Sequence, residues 1–220
     1  MTPRTCLLLI ALALNGLPGA GSAIAGDPHA TEADWAMVPA WCRFAMSGRK
    51  TNNRVNQIPD PQVRAKIRAL DNSGCNGFHH YCWALIWANR GYFYNGEDHE
   101  LRRSYYDWAI SDFHYIFPNS EPGNTCSLFP ESYTKLGEMK LLIGKPREAE
   151  THYQEALKVK PDYAPAYAGL SDLYETQGRI DKAVAILQTG LKVKPTSSAL
   201  KKKLARLQAR TGGDLRESPE

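Results

Sequence analysis

Apolar residues recur at three- and four-residue spacing along most of the chain, as in helices that bury one stripe. The clearest case lies in the carboxy-terminal half. Tyr133, Leu136, Met139 and Leu142 or Ile143 form one stripe, and Ala149, Tyr153, Ala156 and Leu157 form the next. Gly144 lies between them, where a residue in the left-handed region closes a helix. Pro161 stops the second stripe, because it lacks the amide hydrogen that a further turn requires. The pattern then returns as Tyr167, Leu170, Tyr174, Gly178, Ala183, Leu187, Gly190 and Pro195. Upstream, Val63, Ile67 and Leu70 mark one face of a helix within 59–70. The aromatic-rich stretch 35–46 reads as a helix, 79–93 as another, and 106–118 as one that closes on Pro118. Over 197–209, Leu200, Leu204 and Leu207 make a single stripe among Lys201, Lys202, Lys203, Arg206 and Arg210. The pattern predicts an all-α chain.

The recurrence has a fixed period. Lys158-Val159-Lys160-Pro161 returns 34 residues later as Lys192-Val193-Lys194-Pro195, and the same offset links Tyr133 to Tyr167, Leu136 to Leu170 and Gly144 to Gly178. Such a period marks a solenoid of stacked helical pairs. Tyr133, Leu136-Gly137, Gly144, Ala149, Tyr153, Ala156 and Pro161 follow the order that defines the tetratricopeptide repeat, and residues 130–195 resemble two such repeats. The second copy departs at Ser171, Leu187 and Gly190, where the family has glycine, an aromatic and alanine.

The resemblance implies a short right-handed α-solenoid with repeats at 130–163 and 164–197 and a capping helix at 198–211. A degenerate repeat-like unit is expected at 75–129, with an insertion around Glu121-Pro122-Gly123-Asn124 that stretches its spacing. A helical region at 26–74 precedes it, and 212–220 reads as a flexible tail.

Composition adds a leader. Arg4, the apolar run from Cys6 to Leu14, Pro18 and the small residues ending in Ala23-Ile24-Ala25 have the form of a secretory signal peptide over 1–25, cleaved near Ala25. The expected location is periplasmic or secreted. No apolar run is long enough for a further membrane span. A net charge of +4 is too small and too mixed to imply nucleic acid. All five tryptophans lie between Trp35 and Trp108, and 18 of the 22 aromatics precede residue 134, so the two halves are differently built.

Cleavage would leave Cys42, Cys75, Cys82 and Cys126, most simply two disulfides with three possible pairings. In stacked helical pairs, the loops that feed the first helices lie on one edge. Cys75 and Cys126 each precede such a helix, so Cys75–Cys126 is preferred, which leaves Cys42–Cys82. The front end is thus expected to be disulfide-braced.

Chemistry is sparse. Nucleophile elbows, zincin motifs, phosphate loops and dinucleotide fingerprints are missing, so no catalytic residue is assigned and no enzyme is expected. A metal or haem block made of His79, His80 and Cys82, completed by His99 or His114, is one alternative. Paired C-x-x-C and C-x-x-C-H motifs are missing, however, and adjacent histidines on a helix point about 100° apart. No metal or cofactor is expected. A sugar-binding surface at Tyr92-Phe93-Tyr94 and Tyr105-Tyr106 is another alternative, against ordinary core packing.

The resemblance also implies where a partner would sit. Family proteins bind through the concave face, lined by the first helix of each unit. Here that face takes Thr134, Glu138 and Leu141 from the first repeat, and Ala168, Asp172 and Glu175 from the second. Proteins of the family that grip a terminal carboxylate use Lys and Asn there. Thr134, Glu138, Ala168 and Asp172 hold those places, so such a grip is not expected. The acidic lining suits a basic or neutral polar protein or peptide, and the implied role is that of an exported scaffold or assembly factor of the cell envelope.

Overall fold

The structure is a computed structural model that describes residues 30–46, 55–120 and 126–214, with side chains as far as Arg210. The leader expected at 1–25, the insertion around Glu121-Pro122-Gly123-Asn124 and most of the expected tail lie outside the described residues. Among the described residues every regular element is a helix.

Two short helices open the chain, α1 Glu32–Ala36 and α2 Ala40–Ala45, where the spacing predicts one helix over 35–46. Pro39 divides them, since its extended backbone and missing amide suit the entry of α2 and not the interior of a longer helix. Thr31 and Asp34 cap α1 reciprocally. Asp60 starts α3 Pro61–Asn72 by accepting from the Gln62 and Val63 amides.

Gly77, at φ +76°, admits the chain to α4 Phe78–Phe93. Asp98 caps α5 His99–Asn119, which begins well before the expected 106; its polar, charged first turns carry no apolar stripe to mark that start. Pro118 lies inside the last turn of α5 instead of closing it. The repeats follow as α6 Phe129–Leu142 with α7 Pro146–Val159, then α8 Ala164–Thr176 with α9 Ile180–Val193. Gly144 at φ +77° and Gly178 at φ +69° close α6 and α8. The final helix, α10 Ser198–Asp214, runs beyond the expected 198–211.

From α4 onwards the helices pack in sequence, the α4–α5 and α6–α7 pairs most extensively. In addition, α6 lies beside α8 and α8 beside α10, so the first helices of successive units share one side of the stack. This arrangement is an α-solenoid.

The front end is held by Cys42–Cys82, which joins α2 to α4, and by Cys75–Cys126, which joins the segments entering α4 and α6. All four cysteines are buried. A second tie is the half-buried Arg90 guanidinium on Asp34, with Nη2 at 2.8 Å and Nε at 3.1 Å from the carboxylate. Burial acts to raise the Asp34 carboxyl, but the Arg90 and Thr31 hydrogen bonds outweigh it and hold the group below its ordinary value. An aromatic core of Trp41, Tyr81, Trp87, Tyr105, Tyr106 and Phe113 fills this half, whereas alanines and leucines dominate the repeats.

Candidate functional site

The side shared by α6, α8 and α10 carries the residues expected to meet a partner, and the helices place them unequally. Thr134 is only 3% exposed and donates its hydroxyl to the Pro130 carbonyl at 2.8 Å, so it offers no surface. Leu141 is half-buried against the core around Tyr153, and Ala168 is half-buried against the core around Tyr167.

Glu138 is half-buried and already doubly occupied: its Oε2 accepts from Lys135 Nζ at 2.8 Å and from the Tyr92 hydroxyl at 3.0 Å. Asp172 is ion-paired with Lys203, and Glu175 with Arg206 at 2.6 Å and with Arg210. The expected acidic lining is therefore corrected. Its carboxylates stand among cations, three of which come from α10.

The sequence pattern predicts α10 as a cap with a charged outer face; its docking beside α8 brings those charges to this side. The signal was present in the period: Arg206 follows Asp172 by the same 34 residues that separate Asp172 from Glu138. Tyr92, considered above only for sugar stacking, belongs to this side through its bond to Glu138, which the stretched spacing before α6 hides in the sequence.

At the α6 end of this side, tyrosines surround glutamates. Burial of Tyr81, together with the negative charge of Glu131, pushes its phenol far above its ordinary value. Burial, with the charges of Glu131 and Glu138, raises Tyr163 to about 12. Lys160 lies over the Tyr163 ring, 5.8 Å from its centroid.

The histidine block is organised for packing between helices. His80 Nδ1 lies 2.6 Å from Asp112 Oδ1, Trp87 Nε1 donates to Oδ2 at 3.1 Å, and Tyr115 stacks on the His80 ring at 3.7 Å. Asp112 thus links α4 to α5; burial raises its carboxyl in spite of these hydrogen bonds. Cys82 is buried in a disulfide and cannot ligate a metal alongside His79 and His80. His114 faces His152 of α7, with ring centroids 5.5 Å apart. Among the described residues no group of three or more His, Cys, Asp or Glu side chains is arranged to hold a metal ion. No helix among them is long and apolar enough to cross a membrane. Of the aromatics considered for sugar stacking, Tyr105 and Tyr106 are buried, whereas Phe93 is 69% exposed beside Tyr92.

A helical stack with this period and this shared face defines a class. Residues 143–207 match the tetratricopeptide repeat family model, and the helical stack is similar to proteins built of such repeats. Among curated proteins it is similar to Superkiller complex protein 3 of Mus musculus, with 28% identity over 159 residues. That match takes in 72% of this chain but only 8% of the relative's length. Among solved structures it is similar to a thermophilic tetratricopeptide protein of Thermus thermophilus, at a TM-score of 0.53 and 17% identity. That likeness covers 77% of this chain and 87% of the other, and it is one of fold.

Proposed function

We propose that this protein is a non-catalytic, exported interaction module that holds another protein or a peptide along the side shared by α6, α8 and α10. The observation that carries the reading is the alignment of these three helices, which leaves polar and charged side chains of successive units on one surface. A solenoid extends by stacking and leaves such a side free of its own core, which suits it to gripping an extended segment. The form of residues 1–25 supports export to the periplasm or beyond, and the four paired cysteines agree with an oxidising compartment. By analogy with the family, the role is a scaffold or assembly factor of the cell envelope.

Affinity capture from the envelope fraction tests this, with residues 26–220 as bait. The wild type should retain a partner that the Glu138→Lys/Asp172→Lys variant loses while keeping its helical circular dichroism. Capture that is unchanged in the variant would discard this face as the binding surface. Fractionation of cells expressing the full chain tests export, which predicts a mature form shortened at its amino end outside the cytoplasm.

A further inference from the structure

We propose that the edge of the solenoid on which α7 and α9 end is a docking surface for an anionic phospholipid membrane. This goes beyond the protein-binding reading: it concerns an edge of the stack and leaves the side shared by α6, α8 and α10 open.

The period puts the same four residues at the end of each second helix. Lys158-Val159-Lys160-Pro161 ends α7, and Lys192-Val193-Lys194-Pro195 ends α9. The two prolines stop these helices in the same register, and α8 and α10, which lie side by side, start soon afterwards. Both turns therefore lie on one edge. Leu157 and Leu191 pack against the core around Tyr167. A step of two residues turns a helix by about 200°, so Val159 and Val193 point away from that core. They are 41% and 47% exposed. Tyr115 of α5, 43% exposed and lying against Gly77 at the entry to α4, adds an aromatic ring. The Cys75–Cys126 bond ties that entry to the entry of α6, which runs beside α8.

Each valine stands between two cations. Lys158 pairs with Glu155 at 2.6 Å, and Lys160 lies over the Tyr163 ring. Lys192, Lys194 and Lys201, the last from the first turn of α10, make no ion pair among the described residues. Asp162 in the first turn and the half-buried Glu131 oppose them, so the edge stays positive. Lysine stems can reach phosphate headgroups while the valine between them enters the acyl boundary. Neither signal holds a protein to a membrane alone, and here the two coincide twice. The opposite edge has exposed apolar side chains too, Phe93 and Leu142. Phe93, however, is followed by Glu97, Asp98 and Glu100, which an anionic surface repels. Charge thus selects the edge that carries the valines.

Sedimentation of the 26–220 protein with lipid vesicles tests this, with phosphatidylcholine mixed with phosphatidylglycerol set against phosphatidylcholine alone. The mixed vesicles should bind the protein and the neutral ones should not. Lys160→Gln/Lys194→Gln should weaken binding about tenfold or more. Arg147→Gln/Lys182→Gln, an equal charge change at the other ends of α7 and α9, should change it less than about threefold. Val159→Ser/Val193→Ser keeps every charge and should weaken binding about threefold or more, because it removes apolar area from the interface. Circular dichroism confirms that each variant is folded. Failure to bind the mixed vesicles would overturn the docking edge, as would equal weakening by the two charge variants. Full binding by the valine variant would also overturn it, since the contact would then be diffuse charge alone. Displacement by soluble glycerol phosphate would assign the lysines to a free phosphate and overturn the membrane surface.

Discussion

Tyr153 occupies a gap that two glycines make for it. A Cβ on Gly137 would stand 2.7 Å from its ring, and one on Gly169 would stand 2.4 Å away. In the next unit the place of Gly137 is taken by Ser171 and that of Tyr153 by Leu187. The smaller leucine leaves room for the extra Cβ, so two departures from the family pattern form one matched change. Gly190 stands for alanine because a Cβ there would meet the Tyr167 ring at 2.7 Å and Leu200 at 2.9 Å. The same contact recurs upstream, where a Cβ on Gly91 would stand 2.4 Å from the Tyr106 ring, which supports our proposal that 75–129 is a degenerate repeat. Gly137→Ala should destabilise by about 1–3 kcal/mol through overpacking. Adding Tyr153→Leu should cost less in that background than alone, a favourable coupling measurable by a double-mutant cycle in urea. The departures were legible in the sequence. Their compensation was not, because it depends on which side chain the neighbouring helix brings opposite.

At the level of elements, α5, α6 and α7 meet around His152. His114 comes from α5, and Tyr133 stacks on the His152 ring from α6. Burial first, then the positive charge of His114 and Lys140, lowers His152 to about 4, against the opposing pull of Glu148 and Glu155. Burial likewise lowers His114. The native state therefore holds His152 neutral, while the unfolded chain takes up a proton near the ordinary value of 6.5. The stability tied to this neutral ring is present above about pH 6.5 and is lost as pH falls towards about 4. Urea midpoints should decline over that window, and His152→Phe should flatten the decline; an unchanged slope in the variant would refute the assignment. Helix existence was legible because each amphipathic stripe is local. The ends were less so: Pro39 split one expected helix, and Asp98 started another ahead of its apolar stripe.

Across the whole molecule, two covalent ties hold the aromatic front end while the repeats rely on stacking alone. Non-reducing peptide mapping of the 26–220 protein should return the pairs Cys42–Cys82 and Cys75–Cys126 and no free thiol. Replacing both Cys75 and Cys126 by serine should cost roughly 2–4 kcal/mol, chiefly by freeing the unfolded chain. Thermal unfolding of the variant, compared with the oxidised wild type, checks this.

The sequence by itself determined the helical class, the 34-residue period and most helix stops, because hydrogen bonding, glycine and proline act within a turn or two of where they stand. Only the tertiary structure decided the character of the shared face. Thr134 turned inward to its own helix. Asp172 and Glu175 received cations from residues 31 and 35 positions away, through the docking of α10 beside α8. Charge on a surface depends on distances in space, and those are set by how the helices stack.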